Sequence, residues 1–588
     1  MCGILGYIGK ENASQIVLEG LKKLEYRGYD SAGIASISNN KLRLKKGAGK
    51  LEQVFPSLDS IKELKGRIAI GHTRWATHGK VSKENAHPLI SNNGKIAVVH
   101  NGIIESFQEL KKYLERKGFK FYSETDTEVI PNLIEYNMKK GNDFITAFKD
   151  MLDSLKGSYA IIAIHEDYPF LLAARKESPL VIGVGEGEWF ISSDISSFLD
   201  RTKKVIYLFD GDFIVLNEGI KIFNKGVEVK RKVDSVEWDP EQAKKGVFKH
   251  FMLKEIMEQA DVIKKAISQE EDIILEVANS IRDARGIYFV GCGTAYHAAL
   301  EGSYIFSKVA KTHVNVCYAH EFPNFIHFIN DKSLIIAVSQ SGETADTLSA
   351  IRAAKSKGAK VISIVNVMGS TLARESDTAL LQRAGPEICV LSTKSYTSQL
   401  AIITLIAYAL AGRLEEGKAK LKELVRYILY LTSKNTQDHI KKIAKELYKA
   451  KNIFVLGRGI QYPTALEAAL KIKEVSYIHA EGFAGGELKH GVIALIEEGT
   501  PCIILTSKAT EQEILSNAAE LKARGAKLIG IGPRNNRLFD HFIKVREAEE
   551  ANSICQIIPI QILAYQLALL RGLDPDKPRN LAKSVTVK

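Results

Sequence analysis

A cysteine directly after the initiator methionine is the first residue in this sequence with evident chemistry. Removal of Met1 would leave Cys2 as residue one, with a free α-amino group beside its thiol. An α-amine titrates at about 7.7–8.0, so at neutral pH it can take the thiol proton, directly or through a water, and activate the nucleophile. The tripeptide Met-Cys-Gly alone more often marks an ordinary cysteine at a chain end. The rest of the first part of the chain must therefore decide whether Cys2 is a nucleophile.

Several polar residues further along could serve such a nucleophile. Arg27 and Arg74 stand near glycine turns, where a guanidinium suits a carboxylate, although Arg74 could also be a surface strand residue. Asn101-Gly102 is either a hairpin turn or an oxyanion hole of one side-chain amide and one backbone N–H. Asp126 opens a helix within a capping box, so it binds a ligand or only caps the helix.

The second half offers two further polar sets. Ser339–Thr344 lies between a strand and a helix, where hydroxyls and N–H groups converge at a positive helix end. It is a phosphate loop or a Ser-rich cap, and its place at the carboxyl edge of an alternating sheet favours phosphate. Glu467, Lys471 and Glu474 share one face of a predicted helix, Tyr462–Val475. They form a solvated stripe or functional charges on a packed helix.

Two kinds of scaffold must position these residues. Up to about residue 235, short strand runs joined by turns predict antiparallel layers with segregated helices, an α+β arrangement. From His250 onward, strands alternate with long helices, which is typical of parallel α/β sheets. The first part contains predicted strands Ile4–Ile8, Arg67–Gly71, Lys95–His100, Tyr159–Ile164, Pro179–Val184, Trp189–Ser192, Lys204–Phe209 and Phe213–Asn217, and predicted helices Ala13–Leu24, Glu128–Asn137 and Phe144–Leu155. The second part contains predicted strands Gly286–Val290, Ser333–Val338, Lys360–Val365, Glu387–Leu391, Asn452–Leu456, Pro501–Leu505 and Lys527–Ile531.

The α/β part also repeats itself. Ile287-Tyr-Phe-Val-Gly-Cys-Gly matches Ile453-Phe-Val-Leu-Gly-Arg-Gly, and Lys357-Gly-Ala-Lys-Val-Ile matches Arg524-Gly-Ala-Lys-Leu-Ile at nearly the same offset. These matches predict a duplicated domain. Only the first copy keeps the hydroxyl-rich loop.

Composition limits the class of protein. The 588 residues, 45% hydrophobic and 26% charged, suit a multidomain globular enzyme and exclude collagen-like, disordered and disulfide-scaffold chains. A net charge of +12 without a basic tract interleaved with aromatics favours small anions over nucleic acid. Six scattered cysteines and no signal peptide predict a cytoplasmic protein. No uninterrupted apolar run of about 18 residues predicts a membrane span, and no motif predicts a metal or other cofactor.

Motifs along the whole chain resemble the glutamine:fructose-6-phosphate aminotransferase family. In the first part they are Met-Cys-Gly-Ile-Leu-Gly, Tyr-Arg-Gly-Tyr-Asp-Ser-Ala-Gly, Gly-His-Thr-Arg-Trp-Ala-Thr-His-Gly, His-Asn-Gly-Ile-Ile-Glu and Ser-Glu-Thr-Asp-Thr-Glu. In the second they are the Ser339–Thr344 loop, Ser392-Thr393-Lys394, Glu487-Leu488-Lys489-His490-Gly491 and the ending 578–587. The resemblance implies a four-layer αββα N-terminal-nucleophile hydrolase fold, followed by two α/β sugar isomerase domains with parallel sheets.

For the first part, the resemblance implies a glutaminase. Cys2 would attack the side-chain amide of glutamine, and Asn101 and Gly102 would hold the oxyanion. Arg74 would bind the substrate α-carboxylate and Asp126 its α-ammonium group. The other implied residues of this site are Arg27, Thr77, His78 and Gly79, with Trp75 as the gate for ammonia.

For the second part, the resemblance implies amination and isomerisation of fructose 6-phosphate. Glu474 would move a proton between C1 and C2, supported by Lys471 and Glu467. Lys583 would form a Schiff base with the C2 carbonyl. His490 would open the sugar ring of the neighbouring subunit, which implies a homodimer. The implied sugar-phosphate ligands are Thr294, Ser339, Gln340, Ser341, Thr344, Ser392 and Lys471.

The resemblance also implies domain limits. They are a glutaminase domain at 2–235, a linker at 236–250, isomerase domains at 251–430 and 431–575, and a tail at 576–588 that closes the sugar site. One departure is Ala295, where the family commonly has a serine. It could tune affinity or alter sugar preference.

Three alternatives remain at this point. A deglycating isomerase with the same halves would have no use for the glutamine-binding set, and a non-catalytic sugar-phosphate sensor would have no use for Cys2, Glu474 or Lys583. A phosphoribosyl-directed amidotransferase would need a paired-acid phosphoribosyl loop, which we do not find in the second half.

Overall fold

The computed structural model describes residues 2–76, 78–217, 219–236, 238 and 240–587. It divides into two compact units. The first comprises Met1–Ala243 with Ala582–Lys588, and the second comprises Lys244–Leu581.

The first unit is built on two antiparallel sheets. Its strands are β1 (Gly3–Ile8), β2 (Ser31–Ser38), β3 (Lys41–Ala48), β4 (Ile68–Arg74), β5 (Leu89–Ile90), β6 (Ile96–Ile104), β7 (Gly157–His165), β8 (Leu171–Lys176), β9 (Val181–Val184), β10 (Trp189–Ser192), β11 (Lys204–Tyr207), β12 (Asp212–Leu216), β13 (Ile220–Asn224), β14 (Val227–Glu228) and β15 (Asp234–Ser235). Its helices are α1 (Ala13–Leu24), α2 (Leu51–Val54), α3 (Phe107–Arg116), α4 (Val129–Lys139) and α5 (Phe144–Ser154). The strand orders are β15-β11-β9-β10-β1-β4-β2-β3 and β14-β13-β12-β8-β7-β6-β5.

The alternation of side chains along the strands shows how these sheets and helices form layers. On β1, Leu5 and Tyr7 join the cluster that includes α1, whereas Ile4 faces the other way. Ile4 packs in a cluster that also holds Ile70 of β4 and Ile162 of β7, so this core lies between the two sheets. Helices α4 and α5 cover the outer face of the second sheet. The predicted four-layer αββα arrangement is confirmed.

The second unit contains two parallel sheets of the same topology. Its strands are β16 (Gly286–Gly291), β17 (Asn315–Tyr318), β18 (Ser333–Ser339), β19 (Lys360–Val365), β20 (Thr378–Leu381), β21 (Asn452–Gly457), β22 (His479–Ala484), β23 (Pro501–Leu505), β24 (Lys527–Gly532) and β25 (His541–Lys544). Its helices are α6 (Phe251–Met257), α7 (Gln259–Ile267), α8 (Glu271–Asp283), α9 (Thr294–Ile305), α10 (Ala345–Lys355), α11 (Thr371–Glu375), α12 (Lys394–Leu410), α13 (Leu414–Leu431), α14 (Lys434–Leu447), α15 (Gln461–Ser476), α16 (Glu511–Lys522) and α17 (Asn552–Leu570). The orders β17-β16-β18-β19-β20 and β22-β21-β23-β24-β25 correspond strand for strand, which agrees with the predicted duplication.

One predicted strand is wrong. Glu387–Leu391 is not a strand, and the edge of the first parallel sheet is β20 instead. The Glu387 carboxylate accepts hydrogen bonds from the backbone N–H groups of Thr393 and Ser395, at 2.9 and 3.0 Å. These bonds tie the apolar run into a loop before α12.

Within the described residues, one helix is long and apolar enough to cross a membrane by length and composition. It covers Glu549–Leu570, and its most apolar stretch of 18 residues has a mean hydropathy of 1.6, but 89% of that stretch is buried inside the protein. Its interior carries Gln556 and Gln561, whose amides hydrogen-bond the Thr506 carbonyl and the Gln259 side chain. It is therefore a core helix. It was not detected from the sequence, because polar residues interrupt its apolar run.

Candidate active sites

The thiol of Cys2 lies where β1 meets β4. Gly3 pairs with Thr73, so Cys2 is placed beside the end of β4. The Trp75 N–H donates to Cys2 Sγ at 3.2 Å, and the thiol lies 3.4 Å from the Trp75 carbonyl oxygen. Burial raises the pKa of the Cys2 thiol, although the Trp75 hydrogen bond and the Arg74 charge favour the thiolate. The thiol therefore needs a base to become a nucleophile at neutral pH.

Asn101 and Gly102 approach Cys2 from the second sheet, within β6. The Asn101 amide Nδ2 donates to the Cys2 carbonyl oxygen at 2.9 Å. Gly102 has φ +128°, and a Cβ there would lie 2.1 Å from the Ser158 carbonyl oxygen, so only glycine fits. The Asn-Gly pair is thus part of a strand and not a hairpin turn.

A cation and an anion line the same pocket as Cys2. Arg74 Nη1 is buried and, among the described residues, has no hydrogen-bond partner, while Nη2 donates to the His78 carbonyl. Asp126 also lines this pocket, and its carboxylate accepts from the Ile104 N–H at 2.7 Å. A guanidinium and a carboxylate held in one pocket can recognise the zwitterionic end of an amino acid.

The pocket also contains residues that sequence analysis missed. Its lining comprises Cys2, Arg74, Trp75, His87, His100, Gly102, Thr125, Asp126, Thr127 and Val587. Burial lowers the pKa of both His87 and His100, so neither adds positive charge at neutral pH. Val587 comes from the C-terminal tail, within the first unit.

The remaining predicted glutaminase residues take different places. Arg27 forms an ion pair with Asp194 at 2.8 Å, and the Tyr26 hydroxyl bonds the same carboxylate at 2.9 Å. Arg27 therefore orders its loop and is not among the pocket residues. His78 contributes its carbonyl to Arg74, and Gly79 is exposed. Thr77 lies outside the described residues.

In the second unit, Lys471 is the centre of a buried charged network on α15. Its Nζ lies 3.3 Å from Glu467 and 2.7 Å from Glu474, and donates to the Thr294 hydroxyl at 3.0 Å. Lys471 and Glu467 are fully buried, which excludes a solvated stripe. Burial alone would lower the pKa of Lys471, but the two carboxylates outweigh it and raise the pKa above its ordinary value. Lys471 is held as a cation.

His297 of α9 belongs to this network and was missed by sequence analysis. Its Nδ1 lies 2.8 Å from Glu467 Oε2, and the Thr294 hydroxyl donates to Glu467 Oε1 at 3.1 Å. Its partner is 170 residues away in the other domain copy. Only a Thr-x-x-His spacing, which puts both residues on one helix face, hints at it.

The Ser339–Thr344 loop connects β18 to α10. The hydroxyls of Ser339 and Ser341 accept from the N–H groups of Gly342 and Glu343, at 3.0 and 3.2 Å. Gly342 has φ +66°, and a Cβ there would lie 2.1 Å from Ser370 Oγ, so the tight turn requires glycine. Gln340, Ser341, Thr344 and Ser392 are partly exposed, as ligand-binding side chains must be.

His490 and Lys583 are the remaining predicted residues of the sugar site. His490 is exposed at the end of a short helical turn, Gly485–His490. Lys583 belongs to the tail of the first unit, whereas Glu474 belongs to the second.

Glu301 of α9 is a further buried carboxyl, and it predicts a pH effect on stability. Its carboxylate accepts hydrogen bonds from the Ser553 hydroxyl at 2.5 Å and the Thr464 hydroxyl at 3.3 Å. Burial raises the pKa of Glu301 to about 8, although these two hydrogen bonds oppose the shift. In the unfolded chain it ionises above about 4.3, so it costs stability as pH rises from there to about 8. We expect Glu301→Gln to raise the apparent unfolding temperature by roughly a few degrees at pH 8, and by little at pH 5. Calorimetry at both pH values measures this, and an equal difference at both would contradict it.

Comparison with known proteins agrees with both sites. A family described as glutamine amidotransferase domain matches residues 72–200, and one described as SIS domain matches residues 280–409 and 446–571. The glutamine--fructose-6-phosphate aminotransferases (isomerizing) of Thermococcus kodakarensis and Pyrococcus horikoshii are 46% and 47% identical to this chain, over all of both chains. The chain belongs to this aminotransferase family.

A solved structure supports the aminotransferase assignment for the second unit. It is the C-terminal domain of glucosamine-fructose-6-phosphate aminotransferase from Francisella tularensis, 35% identical, with a TM-score of 0.51. The match covers 57% of this chain and all of that chain. The aminotransferase family thus accounts for both the amidotransferase unit and the duplicated parallel sheets.

Proposed function

We propose that this chain transfers the amide nitrogen of glutamine to fructose 6-phosphate and isomerises the product, giving glucosamine 6-phosphate and glutamate. One observation carries the proposal. A single chain, related over its full length to these aminotransferases, contains both the Cys2 pocket and the Lys471 network. A sugar-phosphate sensor would need no nucleophile, and a deglycating isomerase would need no amino-acid pocket.

The glutaminase step begins when Cys2 Sγ attacks the side-chain carbonyl carbon of glutamine. The thiol proton passes to the α-amine of Cys2 after Met1 is removed, which meets the need for a base. Asn101 Nδ2, which already points at the Cys2 backbone, and the Gly102 N–H stabilise the oxyanion. Ammonia leaves with the returned proton, and water cleaves the thioester to release glutamate.

The amino-acid end of the substrate is held by two charged residues. Arg74 binds the α-carboxylate through its buried Nη1, which has no hydrogen-bond partner in the described part of the chain, and Asp126 binds the α-ammonium group. His78 supports Arg74 through its carbonyl, and Arg27 orders the nearby loop. Gly79 and Thr77 belong to the same glutamine site in this proposal. Trp75 gates the passage of ammonia, which a dry path protects from protonation.

Arg74→Lys tests the carboxylate contact. Lysine keeps the charge but loses the planar fork, so we expect the KM for glutamine to rise roughly 10- to 100-fold, since a charge-assisted bond contributes about 1.5–3 kcal/mol. Arg67→Lys, at the exposed residue just before β4, is the matched control and should leave KM unchanged. Equal KM values in both variants would remove Arg74 from glutamine binding.

The sugar step uses the second unit. The phosphate is bound by Ser339, Gln340, Ser341 and Thr344, aided by Thr294 and Ser392. Lys583 forms a Schiff base with the C2 carbonyl, and water is released. Ammonia then displaces the lysine amine at C2. Glu474 moves a proton between C1 and C2, while Lys471 and Glu467 fix its position. Ala295 leaves one hydroxyl fewer at the sugar.

The assembly follows from the same proposal. The exposed His490 is contributed to the sugar site of a second copy, so the enzyme acts as a homodimer. In this proposal the homodimer works in the cytoplasm. The functional domains are 2–235, 251–430 and 431–575, joined by the linker 236–250 and followed by the tail 576–588, which closes the sugar site.

A direct assay tests the function. Purified protein with glutamine and fructose 6-phosphate should form glutamate and glucosamine 6-phosphate in equal amounts, read by mass spectrometry. Glutamate without the amino sugar would restrict the function to the Cys2 site and point to another acceptor. Absence of both products would overturn the proposal.

A further inference from the structure

Three side chains with metal-binding chemistry meet at the carboxyl edge of the first parallel sheet. Cys292 follows β16, His320 follows β17, and Asp346 lies in the first turn of α10, after β18. Strands β17, β16 and β18 are neighbours in that order, so the loops after them converge. One ligand atom of each residue lies within 4.8 Å of those of the other two.

The ligand types select a class of cation. A thiolate, an imidazole and a carboxylate are ligands of Zn²⁺, whereas Mg²⁺ and Ca²⁺ prefer oxygen alone. Tetrahedral bonds of about 2.0–2.3 Å place ligand atoms roughly 3.3–3.8 Å apart. The three ligand atoms lie within 4.8 Å of one another, so they need to approach by at most about 1.0–1.5 Å to bind such an ion.

Neighbouring groups orient two of these ligands. The Tyr318 ring stacks on the His320 imidazole, with ring centroids 5.3 Å apart, and Tyr296 stacks on Tyr318 at 3.5 Å. The Thr347 hydroxyl lies 3.9 Å from Cys292 Sγ. Glu321 places a carboxylate oxygen 3.7 Å from His320 Nε2, so it or a water can complete four ligands.

We propose that Cys292, His320 and Asp346 form a binding site for a thiophilic divalent cation of the Zn²⁺ class. Binding exchanges the thiol proton of Cys292 for the cation, and no redox partner is required. His320 and Asp346 are partly or fully accessible, so the ion can enter from solvent. None of the three residues takes part in the reaction proposed above.

The site adjoins the sugar network through the chain itself. Cys292 is two residues before Thr294, whose hydroxyl bonds both Glu467 and Lys471. Asp346 is two residues after Thr344 of the Ser339–Thr344 loop. The binding test below does not depend on enzymatic activity, so it can fail or succeed independently of the proposed function.

Cobalt absorption provides the test, because thiolate-bound Co²⁺ in a tetrahedral site shows a charge-transfer band together with intense d–d bands. The full chain carrying Cys2→Ala, which removes the thiol in the glutamine pocket, is titrated with Co²⁺ and then with Zn²⁺. We expect one Co²⁺ per chain, displaced by Zn²⁺. Adding Cys292→Ser should abolish the charge-transfer band, and adding His320→Asn should weaken binding at least tenfold.

His313→Asn is the matched control, since His313 is an exposed histidine just before the same strand, β17. It should leave the Co²⁺ titration unchanged. Absence of the charge-transfer band in the Cys2→Ala chain would overturn the proposal. Equal binding by the His320→Asn and His313→Asn variants would also overturn it, because the ion would then be held by an isolated thiol.

Discussion

Replacing Cys2 by alanine should abolish glutamine hydrolysis, lowering turnover by about 10³-fold or more, while isomerisation of fructose 6-phosphate to glucose 6-phosphate continues unchanged. The pocket retains Arg74, Gly102 and Asp126, so glutamine still binds, but no thiol remains to form the thioester. Loss of a covalent nucleophile removes most of the catalytic effect of the groups that act with it.

The control for this variant is Cys317→Ala, at a buried cysteine of β17. Both activities should survive in it. Glutamine hydrolysis by Cys2→Ala within tenfold of the parent would contradict nucleophilic catalysis, and joint loss of isomerisation would contradict separate sites. Intact-mass measurement of active parent protein should also show that Met1 is absent, since the proposed base is the Cys2 amine.

Glu474→Gln should lower both sugar isomerisation and amino-sugar formation about 10²- to 10⁴-fold, with glutamate release preserved. Glu474 is the one carboxylate of the α15 network that reaches solvent, at 19% exposure, whereas Glu467 is fully buried. It is therefore the member that can touch a sugar carbon. Glutamine has the same shape and still accepts from Lys471, so the fold should be kept.

The neighbouring variant Lys473→Gln is the control, because Lys473 is exposed on the same helix. It should keep full activity. If Glu474→Gln isomerised fructose 6-phosphate at the rate of Lys473→Gln, the proton-transfer role of Glu474 would be wrong, whatever its effect on stability.

Local patterns in the sequence predicted most of the fold. All eight strands predicted for the first part overlap observed strands, and α1 spans the predicted residues. Strands β2 and β3 were not predicted, because Ser31–Ser38 is rich in small residues and Lys41–Ala48 carries a run of lysines at a sheet edge. The apolar run Glu387–Leu391 resembled a strand, but the Glu387 carboxylate accepts hydrogen bonds from the N–H groups of Thr393 and Ser395, which no local pattern shows.

The site was predictable where its chemistry is contiguous in sequence. Cys2, Arg74, Asn101 and Asp126 each sit in a recognisable motif, and the structure groups them around one thiol. His297 was not predicted from the sequence, because its role depends on a contact with Glu467, far along the chain. Glu301 and Val587 were not predicted for the same reason, since residues distant in the sequence form the surroundings of each.

Nitrogen labelling tests the central claim most directly. The enzyme is supplied with glutamine labelled with ¹⁵N at its side-chain amide, with fructose 6-phosphate, and with an excess of unlabelled ammonium chloride. We predict that glucosamine 6-phosphate carries ¹⁵N and forms in step with glutamate, because nitrogen released at Cys2 reaches the sugar without mixing with solvent. Unlabelled glucosamine 6-phosphate, or labelled ammonia in solution with no amino sugar formed, would contradict a coupled aminotransferase.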